Sequence, residues 1–322
     1  MNDSSNFLVT GGAGFIGSHV VDDLVDKDKN VVILDDFNEQ YNPDYKERNI
    51  MHHLESDQVR VVEGSVCDYK LLNYLFEDEE IEFVIHLAAR PGVRGSIDKP
   101  MLCTKVNVRG TNTVFEVAKE HEVQNIIFAS SSSVYGNKKD TPFSEDQNVN
   151  NPISPYASTK VSGERMAHTY HHLYDMNIPC LRFFTVYGER GRPNMAPWIF
   201  TERVMEDRPI QQFGDGTSKR DYTYIGDIVD GIMRTAERMD EIGFEIMNLG
   251  RGEPVVLKDF IQMVQDISGK EAEIEVLPEQ PGDVEVTHAD ISKAREILDY
   301  NPKTSFEQGL TNFIRWYQDK YK

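Results

Sequence analysis

Cysteine is scarce. Cys67, Cys103 and Cys180 are the three in 322 residues, an odd number without Cys-x-x-Cys spacing. A disulfide framework and a cysteine zinc centre are therefore not expected, and a reducing cytoplasm fits best. Long apolar runs are missing too. No window approaches the roughly 20 residues that a membrane-spanning helix needs, and the segment Met1-Asn2-Asp3-Ser4-Ser5-Asn6 offers no basic stretch ahead of an apolar core. Neither a membrane span nor a cleaved leader is expected. Positive charge is in deficit: 34 Lys+Arg stand against 54 Asp+Glu, a formal net charge of −20. Such a field repels phosphate backbones, so a nucleic-acid partner is not expected, and an anionic substrate would need local cations to hold it.

What the chain does have is alternation. Apolar runs at Phe7–Val9, Val31–Leu34, Val59–Val62, Phe83–Leu87, Asn125–Ala129 and Ile178–Phe184 read as buried strands. Helical stretches at about 44–54, 68–77, 98–121 and 154–176 lie between them. Continuous apolar strands separated by helices predict an α/β fold, a doubly wound parallel sheet covered on both faces. Beyond residue 184 prolines and glycines punctuate shorter elements, although Ile225–Met239 and Leu257–Ser268 still read as helices. The expected organisation is a dinucleotide-binding domain over 1–184, with segments near 214–250 and 284–300 returning to it. A smaller α/β lobe occupies most of 185–322.

The run Thr10-Gly11-Gly12-Ala13-Gly14-Phe15-Ile16-Gly17 follows the first strand and opens a helix. Gly11, Gly14 and Gly17 suit a tight turn, close backbone approach to a pyrophosphate and close packing of helix on strand. N–H groups at the helix start then face the anion. Asp35 ends the second strand, where a carboxylate accepts hydrogen bonds from the adenosine ribose. Asp35 and Asp36 would repel a 2′-phosphate, which favours NAD over NADP.

A second constellation follows the fifth strand. Ser130-Ser131-Ser132-Ser133-Val134-Tyr135-Gly136 is succeeded by Tyr156-Ala157-Ser158-Thr159-Lys160 at the start of a helix. Four residues apart, Tyr156 and Lys160 share one helix face. A free tyrosine titrates near pH ~10, too high for a base at neutrality. A neighbouring ammonium and an oxidised nicotinamide would favour the phenolate, and a serine hydroxyl could share the substrate proton.

TGGAGFIG, the HLAA of 86–89, SSSSVYG and YASTK together resemble the extended short-chain dehydrogenase/reductase family, whose members modify nucleotide sugars. The likeness continues through Arg220–Asp227, Pro281-Gly282-Asp283 and Ala289–Ala294. Two stretches, Ala88–Arg94 and Arg182–Ala196, together with Asp35-Asp36-Phe37-Asn38 and Tyr41-Asn42-Pro43, are similar to UDP-glucuronate 4-epimerases. The resemblance implies bound NAD, a UDP-sugar substrate and a transient 4-keto intermediate. It implies Tyr156 as base, Ser131 as proton relay, and Lys160 as the group that orients the nicotinamide ribose and lowers the Tyr156 pKa. Cofactor contacts are implied at Gly11, Gly14, Phe15, Ile16, Gly17, Asp35, Asp36, Asn38, Ser65, Val66, Leu87, Ala88, Ala89, Asn107 and Ser130, besides Tyr156 and Lys160. Substrate contacts are implied at Arg94, Ser132, Thr185, Arg192, Arg220 and Asp283. Arg192 and Thr185 would restrain a sugar carboxylate, Arg220 would meet the phosphates, and Asp283 would lie near the uridine ribose.

Other readings stay open. A UDP-glucose or UDP-N-acetylglucosamine 4-epimerase shares the chemistry, although such relatives generally place Asn where Thr185 stands. A sugar 4,6-dehydratase or a UDP-glucuronate decarboxylase would call for carboxylates where this chain has Ser132 and Ser133. A noncatalytic NAD-binding scaffold would commonly lack the Tyr or the Lys. Two departures from the pattern are Gln280, where many hexose epimerases carry a phosphate-binding Arg, and Asp36 in place of the more usual Asn. No metal is expected: His52-His53 and His171-His172 are adjacent pairs, and neighbouring side chains on a helix diverge. The helices at about 98–121 and 154–176 are expected, by resemblance, to pair with their copies in a homodimer.

Overall fold

The computed structural model describes residues 6–279 and 284–321. Gln280 and Asp283 lie outside the described residues.

Among the described residues twelve strands run in chain order: β1 Asn6–Thr10, β2 Asn30–Asp35, β3 Val59–Glu63, β4 Phe83–His86, β5 Asn125–Ser131, β6 Cys180–Phe183, β7 Thr185–Tyr187, β8 Ile210–Phe213, β9 Lys219–Tyr224, β10 Ile246–Leu249, β11 Pro254–Val256 and β12 Ile274–Leu277. Seven form one parallel sheet in the order β10-β6-β5-β4-β1-β2-β3. This is the doubly wound parallel sheet expected from the sequence. Side-chain alternation divides its strands between two cores. Phe7, Val9, Ile33, Ile85, Ile127 and Leu181 face one side; Leu8, Val32, Leu34, Val84, Ile126 and Phe128 face the other. Chain direction across the sheet reverses between β1 and β4, and ligands of such sheets lie in the crevice beyond the strand ends at that point.

Helix α1, Phe15–Asp26, follows β1, and α2, Asp44–Ile50, follows β2. The 98–121 stretch is not one helix. Pro100 begins a new segment, Pro100–Thr104, after a short helix Val93–Asp98; a π-helical turn Lys105–Gly110 leads into Thr111–Glu120. Proline lacks the N–H that would continue the preceding helix, so the break falls there. The 154–176 stretch is the helix Pro155–Tyr174. The Ser154 hydroxyl accepts from the Ala157 N–H at its start, and Pro155 sits in its first turn.

The remaining strands form a three-stranded sheet β11-β9-β7 and a pair β12-β8. They pack with the helices Ala196–Met205, Leu257–Ser268 and Phe306–Tyr321 around an aromatic core that includes Trp198, Phe260, Phe306 and Phe313. β10 lies in the seven-stranded sheet, although the chain reaches it only after β7, β8 and β9. Among the described residues no helix is long and apolar enough to cross a membrane.

Candidate active site

The turn after β1 is shaped by what its glycines leave out. Gly11 has φ +71°, and a Cβ there would come within 2.9 Å of the Ala88 backbone N. At Gly17 a Cβ would lie 2.2 Å from the Gly11 carbonyl oxygen and 2.7 Å from the Gly12 Cα. A side chain at Gly11 would press on the strip after β4, and one at Gly17 would push α1 away from the turn. No side chain caps the start of α1 and no acidic residue stands in its first turn, so the exposed N–H groups remain available to an anion. A cavity of about 370 Å³ opens beyond them, within the ordinary size of a small-molecule site. Gly11, Gly14, Phe15, Ile16, Gly17, Asp35, Asp36, Asn38, Val66, Leu87, Ala88, Ala89, Ser130, Tyr156 and Lys160 all line it.

Two of the expected cofactor contacts fall elsewhere. Ser65 does not line the cavity; its hydroxyl accepts from the Cys67 N–H, while Gly64 and Val66 on either side form the wall. Asn107 also stands behind the wall. Its amide oxygen accepts from the Arg90 N–H at 2.7 Å and its amide nitrogen donates to the Arg90 carbonyl and to Thr159 Oγ1. Asn107 thus positions the strip that follows β4.

Sequence reasoning missed the cations around the two aspartates. Asp35 Oδ1 accepts from the Phe37 N–H and from Lys46 Nζ at 2.8 Å. Asp36 pairs with Arg90 at 2.6 Å. The Arg90 contact, with the Asn38 amide, holds the Asp36 carboxyl below its usual range in spite of burial. Gln40 donates to the Pro91 carbonyl, so the segments after β2 and β4 are tied together over the cavity. Lys46 lies in the following helix and Arg90 in another connection, and no local motif marks either.

The reacting set is assembled by β5 and the helix Pro155–Tyr174. Strand β5 runs two residues past the apolar stretch and includes Ser130 and Ser131. Ser130 donates to Glu164, which grips Arg182 at 2.8 Å in a buried pair. Arg182 in turn donates to the Tyr135 hydroxyl, which donates to Asn248. This network joins β5, β6, β10 and the helix. Ser131 Oγ accepts from the Ser133 N–H and hydrogen-bonds the Tyr156 hydroxyl.

Burial raises the Tyr156 pKa, opposed by the Ser131 hydrogen bond and the Arg192 charge. The expected lowering by Lys160 does not appear here. Lys160 lies over the Tyr156 ring, 5.9 Å from its centroid, and donates to the Ala129 carbonyl at 2.6 Å. Burial brings its own pKa down to about 8. The ammonium addresses the ring and the strand rather than the phenolic oxygen.

A second cavity, of about 890 Å³, meets the first along Asn38, Gln40, Arg90–Val93, Ser132, Ser133, Thr185, Arg192 and Met195. Among the described residues its walls carry Arg90, Arg94, Lys99, Arg192 and Arg220 against Glu39 and Asp98. The chain's overall negative sign is therefore reversed at this wall. Arg94 lies over the Phe213 ring at 5.7 Å. Arg220 donates to the Lys219 and Glu285 carbonyls. Arg192 faces both cavities and donates to the Met195 sulfur at 3.3 Å. Burial lowers the Arg192 pKa, countered by Tyr156 and Tyr41. Gln40 and Met195, not singled out as site residues in the sequence, line both cavities, and Tyr41 lines the first.

Away from these cavities, the histidine pair 52–53 does not diverge. Its residues occupy the 3-10 turn Met51–His53 instead of a continued α-helix, and both rings reach Asp22.

A parallel sheet with a glycine cradle at its reversal point and a Ser–Tyr–Lys set beside the cradle defines an extended short-chain dehydrogenase/reductase. The chain belongs to the family described as GDP-mannose 4,6 dehydratase, whose profile matches residues 8–313. It is 40% identical over 311 residues to a UDP-glucuronate 4-epimerase of Thermodesulfobacterium geofontis, covering 96% of this chain and 95% of the relative. It is similar to the crystal structure of UDP-glucuronic acid 4-epimerase from Bacillus cereus in complex with UDP-glucuronic acid and NAD. That match has a TM-score of 0.92 and 38% identity, and it covers 98% of this chain and all of the other. A UDP-glucose 4-epimerase structure from Thermotoga maritima with UDP-glucose matches at a TM-score of 0.90 and 30% identity, over 98% of this chain and 100% of that one.

Proposed function

We propose that this protein is an NAD-dependent 4-epimerase of UDP-sugars and that its substrate is UDP-glucuronate, converted to UDP-galacturonate. One observation carries the choice of sugar: the Arg192 guanidinium, with five donors, faces the junction of the two cavities and has a thioether among its hydrogen-bond partners. A half-buried cation so poorly compensated favours an anionic ligand, and a guanidinium matches a carboxylate with two parallel hydrogen bonds. Thr185 lines the same junction and can add a hydroxyl.

The residues present fit a dinucleotide: Gly11 and Gly17 leave room for the pyrophosphate, the uncapped start of α1 offers N–H donors, and Asp35 stands at the ribose end. When bound, NAD would supply reversible acceptance of a hydride from the sugar C4. The chain's part is to hold and move the proton. Tyr156 takes the 4-hydroxyl proton through its bond with Ser131 as the C4–H pair leaves, and returns it when the hydride comes back to the opposite face of the 4-keto sugar. Lys160 holds the strand carbonyl and the Tyr156 ring in register and, when protonated, presents its charge to the nicotinamide ribose. Arg192 and Thr185 hold the carboxylate so that its C–C bond stays out of line with the ketone π system, which slows loss of CO₂ from the β-keto acid. Arg94, Ser132 and Arg220 support the rest of the nucleotide sugar, with Arg220 toward the phosphates; Asp283, outside the described residues, is assigned to the uridine ribose.

The division of labour proposed is a cofactor domain over 1–184 with later segments returning to it, and a substrate lobe over most of 185–322. We place the protein in the cytoplasm as a homodimer. The helices after β4 and β5 support the dimer: on them Met101 is 81% and Leu173 59% exposed.

The test is incubation of the purified protein with UDP-glucuronate, UDP-glucose and UDP-N-acetylglucosamine in separate reactions, with products resolved by chromatography. Conversion of UDP-glucuronate to its 4-epimer is expected. Conversion of the neutral sugars alone would refute the Arg192 assignment, and CO₂ with a UDP-pentose as main products would replace the epimerase by a decarboxylase.

A further inference from the structure

The cluster built by Asp22, His52 and His53 lies outside both cavities and has no part in the proposed reaction. Asp22 belongs to α1 and the histidines to the 3-10 turn that follows α2. Their ring centroids are 4.0 Å apart. His52 Nε2 lies 2.8 Å and His53 Nε2 2.7 Å from the same oxygen, Asp22 Oδ1. The ligand atoms of the three residues all lie within 4.8 Å of one another. The other carboxylate oxygen, Oδ2, is held by Arg190 at 2.8 Å. Asp22 is therefore oriented from one side and presents its second oxygen to two imidazoles.

Two neutral imidazoles can both bond one carboxylate oxygen only if each keeps its proton on Nε2. A single divalent ion in place of those two protons would meet three ligand atoms that already converge. Two nitrogens and one carboxylate oxygen suit zinc and its neighbours and do not suit calcium or magnesium, which prefer all-oxygen shells. The His53 side chain is 9% exposed and anchors the site from below, whereas that of His52 is 48% exposed. Solvent can thus complete the coordination on the His52 side. Arg190 on Oδ2 would act as the outer partner that fixes a ligating carboxylate. The surroundings favour a cation as well. Asp22 also borders a cavity whose walls carry Asp23, Asp26, Asp230 and Glu237 against Lys27 and Arg234, a local excess of negative charge that raises cation concentration.

We propose that Asp22, His52 and His53 form a binding site for one divalent transition-metal ion of the zinc class, which would join α1 to the turn after α2. The probe is zinc alone, titrated by calorimetry into chelator-treated full-length protein that keeps its nucleotide. One ion per chain is expected, together with a rise in thermal midpoint on zinc addition. Cobalt should give the visible absorption of a low-coordinate N/O site. His52→Ala/His53→Ala should weaken zinc binding at least tenfold and abolish the rise in midpoint, while Cys67→Ser, which removes the partly exposed thiol, should bind as the wild type does. Asp22→Asn keeps the side-chain shape and should also weaken binding at least tenfold, so the proposal stays testable if the histidine double variant does not fold. Absence of zinc binding to the wild type, undiminished binding by these variants, or loss of binding in Cys67→Ser would each overturn the site.

Discussion

At Arg192 the residue type and its surroundings point to one role. The side chain is long enough to reach a cavity wall from a loop, and no carboxylate among the described residues pairs with it. Arg192→Met keeps the bulk and removes the donors. Turnover of UDP-glucuronate should fall about 10–100-fold, the loss expected for hydrogen bonds to a charged group, and the share of decarboxylated product should rise. An unchanged ratio of epimer to pentose product, measured by chromatography, would remove Arg192 from control of the carboxylate. His86 is a different kind of residue. It is buried between Thr10 and Thr111, each within hydrogen-bond distance of one ring nitrogen. Burial, with a further push from Lys160, brings its pKa down from 6.5 to about 3. Between these values the unfolded chain binds the proton and the folded one does not. The contribution of His86 is therefore complete above pH 6.5 and declines as pH falls toward 3, by about 2 kcal/mol between pH 6.5 and 5. Urea unfolding at pH 7, 6 and 5 should show this slope in the wild type and a shallower one in His86→Gln.

Local elements were legible where one segment contains both the pattern and its reason. The β1 strand, its glycine turn and α1 follow one another within Asn6–Asp26, so spacing alone exposes the cradle. Tyr156 and Lys160 were legible on the same ground, being one turn apart at the start of one helix. Gly17→Ala tests the cradle as an element. The added carbon meets backbone on both sides, at Gly11 and Gly12, where no flexible side chain can give way. A destabilisation of about 1–3 kcal/mol, read as a lowered thermal midpoint, should accompany weakened binding of added NAD. Undiminished NAD binding would show that the close approach at Gly17 is dispensable. Elements governed by interruption were harder to read. The stretch 98–121 has helical composition throughout, but Pro100 and the π-helical turn at Lys105–Gly110 divide it. The His52-His53 pair misled for a related reason: helical spacing was assumed where the chain had already left the helix.

For the whole molecule, charge and shape act together. A net charge of −20 would hinder an anionic nucleotide sugar, yet five cations from three separate stretches of chain converge on the wall of the second cavity. The proposed dimer belongs to this scale. Met101, on the segment after Pro100, and Leu173 and Tyr174, near the end of the Pro155–Tyr174 helix, are large apolar side chains left exposed in one chain, and such groups favour burial against a copy. Light scattering in line with gel filtration should give twice the chain mass, and Met101→Asp should shift the population toward monomer. A wild type that elutes as a monomer at micromolar concentration would end the dimer assignment.

The amino-acid order by itself determined the alternating strand and helix segments, the glycine cradle and the Tyr–Lys pair, because each depends on residues within a few turns of one another and on periodicities the backbone imposes. Tertiary structure alone decided that Arg90 meets Asp36, that Lys46 meets Asp35, that Asn107 stands behind the cavity wall, and that Asp22 gathers His52, His53 and Arg190. These partners lie between 11 and 168 residues apart in the numbering. Their meeting follows from strand order and from the return of chain across the sheet, which no local pattern of residue types encodes.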